Sequence, residues 1–335
     1  MKVTHDLSLG KLNTLGLETT ASSLVEIESE EDVLMLPGFN PDRDFVLGGG
    51  SNVVFLSDVP GSVYLVRLAG IDITAEEGDR VTVDAGAGVG WHELVTWALE
   101  SKLHGLENLA LIPGTVGGAP IQNIGAYGVE LASVLDSVTA WDWLTTSWIT
   151  LSREDCRLGY RDSLFRSATP HRYLITSVRL TLSRRFEPEL AYAGLREAVG
   201  DHPTPRAVYE AVIHLRRSKL PDPLINGNVG SFFKNPVVDA EQAEALREQH
   251  AALPAWVLED GRSKLSAAWM IEACGLKGLK EGGARVSEQH ALVLVNEGGA
   301  SGHDISTLSV KVRKAVYETF GVQLEPEPLL VDFQE

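Results

Sequence analysis

The chain has 335 residues, with 29 Lys and Arg against 46 Asp and Glu, and a formal charge of −17 at pH 7. That balance argues against a general nucleic-acid or anionic-membrane binder, which needs a basic footprint, but leaves room for a small anionic ligand in a local basic pocket. At roughly 100–200 residues per domain, two or three domains are expected. Cys156 and Cys274 form no CxxC pair and no zinc set, so no metal and a reducing compartment are expected. The N-terminal stretch lacks the apolar core of a signal peptide, and no run of about 18 apolar residues occurs. The expectation is a cytoplasmic chain without membrane insertion.

The first part of the chain is strand-rich. FVLGGGSNVVFL (45–56) reads as strand, glycine turn, strand, and VYLVRL (63–68) and RVTVDAGAG (80–88) are further β-branched runs. WHELVTWALESKLHG (91–105) has a helical apolar period and a stop at Gly105. A hairpin is predicted over 134–152, a short helix over 152–157 and a long alternating strand over 172–183. A helix opens at Pro205 and is ended by Pro221 and Pro223, which makes 204–222 a candidate linker. Helices follow near 239–251, 263–274 and 304–319, with strands near 284–287 and 291–296 and a final extended LEPEPLLVDF. The pattern is α+β, a β-rich front two-thirds followed by a separate mixed domain.

Several motifs are weaker than they look. Gly86, Gly88 and Gly90 give GxGxG, not GxGxxG, and no acidic strand end follows about twenty residues on, so a plain strand-to-helix turn is the better reading. IPGTVGGAP lacks the GK[ST] ending of a P-loop, and His92-Glu93 has no second histidine at zincin spacing. Two glycine loops remain. One is Gly48, Gly49, Gly50, Ser51 and Asn52. The other is Ile112, Pro113, Gly114, Thr115, Val116, Gly117 and Gly118, which passes over a helix start into Gln122, Asn123, Ile124, Gly125, Ala126, Tyr127 and Gly128. Such backbone lets N–H groups converge on a phosphate and lets a ligand approach closely. Three glycines alone are as readily a tight turn. Two loops cost entropy that a large cofactor with a pyrophosphate would justify.

Arg216, Arg217, Lys219, Lys234, Lys264, Lys277 and Lys280 cluster in the last third of this acidic chain. A solvated face accounts for several of them. Lys219 and Lys277 lie beside turns, which suits point-charge contact to a diphosphate. Arg161, bracketed by Tyr160 and Phe165, is as readily a surface residue as a partly buried, bidentate one. Ser231, in GNVGSFFKNP, has no histidine within ten residues, so nothing activates it as a nucleophile. Glu325 and Glu327 lie in LEPEP, where Pro326 and Pro328 force an extended backbone. Residues i and i+2 then share a side, and the pattern does not choose between the two carboxylates.

In chain order, LGGGSNVV, IPGTVGGAPIQNIGAYG, GYRDSLF, KLPDPLINGNVGSFFKNPVV, LKGLK with RVSEQHALVLVN, and LEPE resemble the UDP-N-acetylenolpyruvoylglucosamine reductase family, from about Thr14 to Leu329. The resemblance implies an α+β FAD-binding fold of the vanillyl-alcohol-oxidase type. Residues 1–68 with 319–335, and 69–204, would be its two FAD-binding subdomains, and 219–318 a separate substrate domain. It implies FAD as cofactor, NADPH as co-substrate and a UDP-sugar as substrate, with a monomer expected. The two glycine loops, with Asn123, Gly125 and Tyr127, would hold FAD. The family's Arg, Glu and Ser map onto Arg161, Glu327 and Ser231, with Ser231 as proton donor to carbon and Glu325 as the alternative glutamate. Tyr160, Tyr192, Lys219, Asn235 and Lys277 would contact substrate, Tyr192 from the tyrosine-bearing loop ELAYAGLREAV. Two positions depart from the family pattern, Ala193 in place of a glycine and Pro328 in place of an aliphatic residue. The rival readings are another flavoprotein of this fold, and a UDP-sugar-binding protein that has lost flavin.

Overall fold

A computed structural model describes residues 1–333. The chain forms two compact units: Met1–Leu7, Thr20–Gly50 and Val59–Ser218 make the first, and Ser8–Thr19, Ser51–Asp58 and the chain from Lys219 onward make the second. The expected first subdomain reaches residue 335, and its positions 334–335 lie outside the described residues.

In the first unit, Tyr173–Ser183 is the central strand of a five-stranded antiparallel sheet. Its alternation buries Leu174, Val178, Leu180 and Leu182 on one face. The strand order is Ser147–Ser152, Leu135–Asp142, Tyr173–Ser183, Arg80–Gly86 and Ile71–Glu77. Arg179 stands directly opposite Asp84 and holds it through two hydrogen bonds of 2.6 and 2.7 Å. The edge strand Ile71–Glu77 is largely exposed, and Asp72, Glu76 and Glu77 charge it against further pairing. A second sheet runs Lys2–Ser8, Thr20–Ile27, Val59–Val66 and Phe45–Leu47, with Val59–Val66 parallel to both Thr20–Ile27 and Phe45–Leu47.

Helix Trp91–Glu100 buries Trp91, Leu94, Val95 and Ala98, one stripe at helical spacing. It stops well short of the predicted Gly105. Lys102 turns left-handed (φ 57°), and the Leu103 amide reaches back to the Ala98 carbonyl at 2.8 Å. The helix predicted over 152–157 is instead a hydrogen-bonded turn, because Arg157 has φ 47° and cannot continue a right-handed helix. The segment expected as a linker is mostly the helix Pro205–Lys219, which buries Val208, Ala211 and Val212 in the first unit's core.

Asp142 is buried on the central sheet. It accepts from Arg172 Nη2 at 2.7 Å and Nε at 3.1 Å, and from the Leu144 amide at 2.9 Å. The Arg172 guanidinium draws its carboxyl down from the ordinary 3.8 to about 2. A depressed carboxyl stabilises the fold above its unfolded value and loses that contribution as pH falls through the folded one, about 2 kcal/mol at 1.36 kcal/mol per unit. Acid denaturation of Asp142→Asn should therefore show a shallower stability loss between pH 4 and about 2 than the parent.

In the second unit, Gly227–Ser231, Val293–Asn296, Ala284–Val286 and Lys280–Glu281 form an antiparallel sheet in that order. Helix Gly302–Phe320 opens on a Ser301/Asp304 capping box. Leu329–Val331 pairs in parallel with Val53–Phe55, and Val54 and Leu324 join the second core, so these segments cluster with the C-terminal chain. The helix predicted over 263–274 is shorter, because Ser263–Leu265 is a strand and Ser266 caps Ala267–Ala273. Among the described residues, no helix is long and apolar enough to cross a membrane.

Candidate active site

The first glycine loop is divided, with Gly48–Gly50 in the first unit and Ser51–Asn52 in the second, whereas 112–128 lies wholly in the first unit. Here they meet backbone to backbone. A Cβ on Gly49 would stand 2.6 Å from Gly114 Cα, and one on Gly48 would stand 2.7 Å from Thr115 Oγ1. No side chain fits between them. The second loop is strapped to the turn after Arg80–Gly86 by Gly117 N to Ala87 O and Val116 N to Val89 O, both 2.9 Å, and by Trp91 N to Gly114 O at 3.0 Å. Those bonds keep Ile112, Pro113 and Gly118 in a defined loop whose remaining surface is open. Thr115 Oγ1 is buried with no hydrogen-bond partner among the described residues. An orphaned buried hydroxyl costs about 1–3 kcal/mol unless a ligand satisfies it. A glycine cradle with an unsatisfied hydroxyl fits a phosphate-bearing cofactor.

Left-handed backbone occurs on both sides of this loop. Leu111, Asn123, Tyr127 and Arg161 have φ of 58°, 45°, 49° and 53°. Such non-glycine positions cost energy and cluster where function requires a fixed shape. Asn123 is fully committed to that shape. Its amide donates to Glu130 Oε2 at 2.8 Å and Gly159 O at 3.0 Å and accepts from Ala132 N at 3.0 Å. Arg161 Nη2 donates to Gly125 O at 2.8 Å, and a Cβ on Gly125 would stand 3.1 Å from Arg161 Nη1. The guanidinium lies 5.7 Å from the Tyr160 ring centroid. Tyr127 packs edge-on against Tyr192 at 4.8 Å, and burial pushes its phenol up to about 12. Tyr192 is 42% exposed, so one edge of its ring faces outward.

Arg216 joins this group, and sequence reasoning passed over it as one of several basic residues. Burial depresses its pKa, with the charge of Arg161 adding to the effect and Tyr127 opposing it. Its Nε has no partner among the described residues. A buried guanidinium requires an anionic or carbonyl partner. The signal was available: Arg216 falls four and eight residues after Val212 and Val208, on the buried stripe of its helix.

In the second unit Ser231 ends the strand Gly227–Ser231, just after Gly230 with φ 73°. Phe232 and Phe233 are buried and pack edge to face, 5.2 Å apart, so they are core. The chain from Phe232 to Lys234 then zips onto the LEPEP segment. Glu327 N donates to Phe232 O at 2.8 Å, Phe233 bridges Pro326, and Lys234 N donates to Glu325 O at 2.9 Å. Asn52 Nδ2 reaches the Glu327 carbonyl at 3.3 Å and Asn52 O accepts from Leu329 N at 3.0 Å, so Ser51 and Asn52 sit with this segment. The pairing separates the two glutamates. The Glu325 side chain is 71% exposed and its carboxylate meets Lys234 Nζ at 3.4 Å, whereas Glu327 is half-buried beside the Ser231 strand end.

Lys219 and Lys277 both face His290, whose imidazole is held neutral first by burial and then by the two ammonium groups. Lys277 Nζ also meets Glu272 Oε1 at 3.4 Å. Two cations from separate segments converging on one neutral ring suit a diphosphate. Asn235 Oδ1 accepts from Ala267 N at 3.0 Å, which leaves the amide NH2 end for a ligand.

Residues 222–331 match the family model described as UDP-N-acetylenolpyruvoylglucosamine reductase, C-terminal domain, and 22–147 match one described as FAD binding domain. The UDP-N-acetylenolpyruvoylglucosamine reductase of Chromobacterium violaceum is 47% identical, over 97% of this chain and 98% of that protein. The enzymes so named from Bordetella pertussis and Neisseria meningitidis are 46% and 44% identical, over 95% and 97% of this chain and 92% and 96% of theirs. The crystal structure of UDP-N-acetylenolpyruvylglucosamine reductase from Thermus caldophilus is similar with a TM-score of 0.72 at 25% identity, covering 99% of this chain and 100% of that one.

Proposed function

The chain belongs to the UDP-N-acetylenolpyruvoylglucosamine reductase family, and within that membership we propose which of its residues carry each part of the reaction. The fold combines an FAD-binding domain with the family's C-terminal domain, and we read it as the expected α+β FAD-binding fold of the vanillyl-alcohol-oxidase type with a separate substrate domain. The protein is an FAD-dependent oxidoreductase that uses NADPH to reduce UDP-N-acetylglucosamine enolpyruvate to UDP-N-acetylmuramate, a step of peptidoglycan precursor synthesis. FAD, when bound, carries two electrons from NADPH to the terminal carbon of the enolpyruvyl group.

The residue roles are our reading. Gly48, Gly49, Gly50, Gly114, Gly117 and Gly118 supply backbone that approaches the pyrophosphate, and Thr115 Oγ1 donates to it. Ser51 and Asn52, Ile112 and Pro113, Asn123, Gly125 and Tyr127 shape the remainder of the flavin site. Addition of hydride at the terminal carbon moves the double-bond electrons toward the neighbouring carbon and its carboxylate. Arg161 neutralises that charge, and the protonated carboxyl of Glu327 donates a hydrogen bond to it, which lowers the barrier in a water-poor site. The Ser231 hydroxyl transfers its proton to the carbon next to the carboxylate, and solvent restores the hydroxyl proton. The acid is weak, but the carbon is strongly basic, and fixed geometry supplies the rest. Lys219, Lys277 and Asn235 bind the diphosphate and sugar, and Tyr160 and Tyr192 cover the nucleotide.

The observation that carries the assignment of acid and donor is the hydrogen bond from Glu327 N to Phe232 O, one residue after Ser231. Removing one such donor costs about a hundredfold in rate. Glu327→Ala should slow the oxidation of reduced enzyme by substrate by about that factor, while Glu325→Ala should change it less than about threefold. Equal effects from the two variants would refute the assignment.

For the functional division we propose residues 1–68 with 319–335 and 69–204 as flavin-binding, and 219–318 as substrate-binding. We propose further that the chain works as a cytoplasmic monomer. A charge of −17 opposes self-association.

A further inference from the structure

His92 is a residue that the reaction does not use. It follows Trp91 at the start of helix Trp91–Glu100, and the two together clip the segment 109–114 at three points. Trp91 Nε1 donates to Leu109 O at 3.0 Å, His92 Nδ1 accepts from Leu111 N at 3.0 Å, and Trp91 N donates to Gly114 O at 3.0 Å. The central bond falls on a left-handed residue, Leu111 with φ 58°, immediately before Ile112, where the second glycine loop starts. That amide points at the ring because the local backbone leaves it no helical or strand partner.

The tautomer is fixed by a closed circuit. Because Nδ1 accepts, the proton sits on Nε2, 3.4 Å from the Tyr209 hydroxyl. Thr96 Oγ1 donates to His92 O at 2.9 Å, so Tyr209 donates to Thr96, also at 2.9 Å. The Tyr209 ring stacks on the imidazole at 5.7 Å and 14°. The groups facing His92 from helix Pro205–Lys219 are Tyr209, Arg216 and Arg217. Segment 109–118 contributes no titratable side chain, and the adjoining acid on its own helix is Glu93.

We propose that the neutral imidazole of His92 is a positioning group for the flavin cradle, setting the path of the 112–118 loop through the Leu111 amide. The proposal rests on the reading that this loop holds FAD. A second proton would turn Nδ1 from acceptor to donor, facing it against the Leu111 N–H, and would break the circuit. Burial, reinforced by Arg217 and Arg216, holds the ring below its ordinary value, so the neutral form persists at neutral pH and the clip fails only on acidification.

The test is FAD release from the purified holoprotein, followed by recovery of free-flavin fluorescence on dilution at a series of pH values. The parent should release FAD roughly tenfold faster once the pH falls far enough below 6.5 to protonate the ring, the loss expected when a buried N–H is left unpaired. His92→Asn, whose Oδ1 accepts at the same place and does not titrate, should release slowly with a nearly flat pH profile. His92→Leu, without an acceptor, should release roughly tenfold faster at every pH. Matching pH profiles for the parent and His92→Asn would overturn the proposal even if His92→Leu fails to fold, as would slow release from a folded His92→Leu. Gly49→Ala, loaded with excess FAD and measured alongside, separates the two readings. Fast release from Gly49→Ala with parent-like His92 variants removes only the role of His92, whereas parent-like release from Gly49→Ala removes the cradle itself.

Discussion

Ser231→Ala is expected to leave reduction of the bound flavin by NADPH within about twofold of the parent and to slow its reoxidation by the enolpyruvyl sugar nucleotide by about a thousandfold, within the usual range for a positioned acid. The asymmetry follows from where the hydroxyl acts. Its proton is required only when electrons reach the enolpyruvyl group, and NADPH presents no carbanion. The substitution removes one hydroxyl from a half-buried strand end whose neighbours Phe232 and Phe233 carry the packing, so the fold should survive. Rapid-mixing absorbance at the flavin band reads the two half-reactions separately. Equal slowing of both would mean that Ser231 supports the site without serving as its acid.

Gly49→Ala is expected to yield protein that purifies colourless and binds added FAD at least about a hundredfold more weakly, the scale set by close to 3 kcal/mol of overpacking at 1.4 kcal/mol per decade. The new methyl would stand 2.6 Å from Gly114 Cα and 3.1 Å from Gly114 C. Both are main-chain atoms, so relief requires one glycine loop to move off the other. Titration of the apoprotein with FAD by fluorescence quenching reads the effect. Unchanged affinity would show that the loops do not jointly hold the cofactor.

The parts of this protein that were legible in its sequence are those where residue type has one physical use. Gly48, Gly49, Gly50, Gly114, Gly117 and Gly118 announce crowded backbone, and the structure shows the two loops packed directly against each other at Gly49 and Gly114. The hairpin at 134–152, the long strand from 172 and the helix from Pro205 follow their periodicity. Thr20–Ile27 was overlooked because TASSLVEI reads as a serine-rich connection until a parallel neighbour covers it. The helix expected at 152–157 failed on Arg157, whose left-handed backbone no composition rule foretells. For the site, local pattern could offer Glu325 and Glu327 but not choose. What distinguishes them is long-range pairing, which gives the Glu325 carboxylate to Lys234 and bonds the Glu327 main chain to Phe232, and on that pairing we propose Glu327. Arg216 was not distinguished from the other basic residues of the last third, although its spacing puts it on the buried stripe of its helix. The roles of Ser231 and Arg161 came from resemblance to a family, since neither residue has a sequence neighbourhood that dictates its chemistry.

The central claim is that one flavin carries electrons from NADPH to an enolpyruvyl sugar nucleotide. It is tested most directly by anaerobic visible spectroscopy of the holoprotein. One equivalent of NADPH should bleach the flavin band, and one equivalent of UDP-N-acetylglucosamine enolpyruvate should then restore it. A band that bleaches and stays bleached in the presence of the sugar nucleotide would contradict the claim and assign the electrons to a different acceptor.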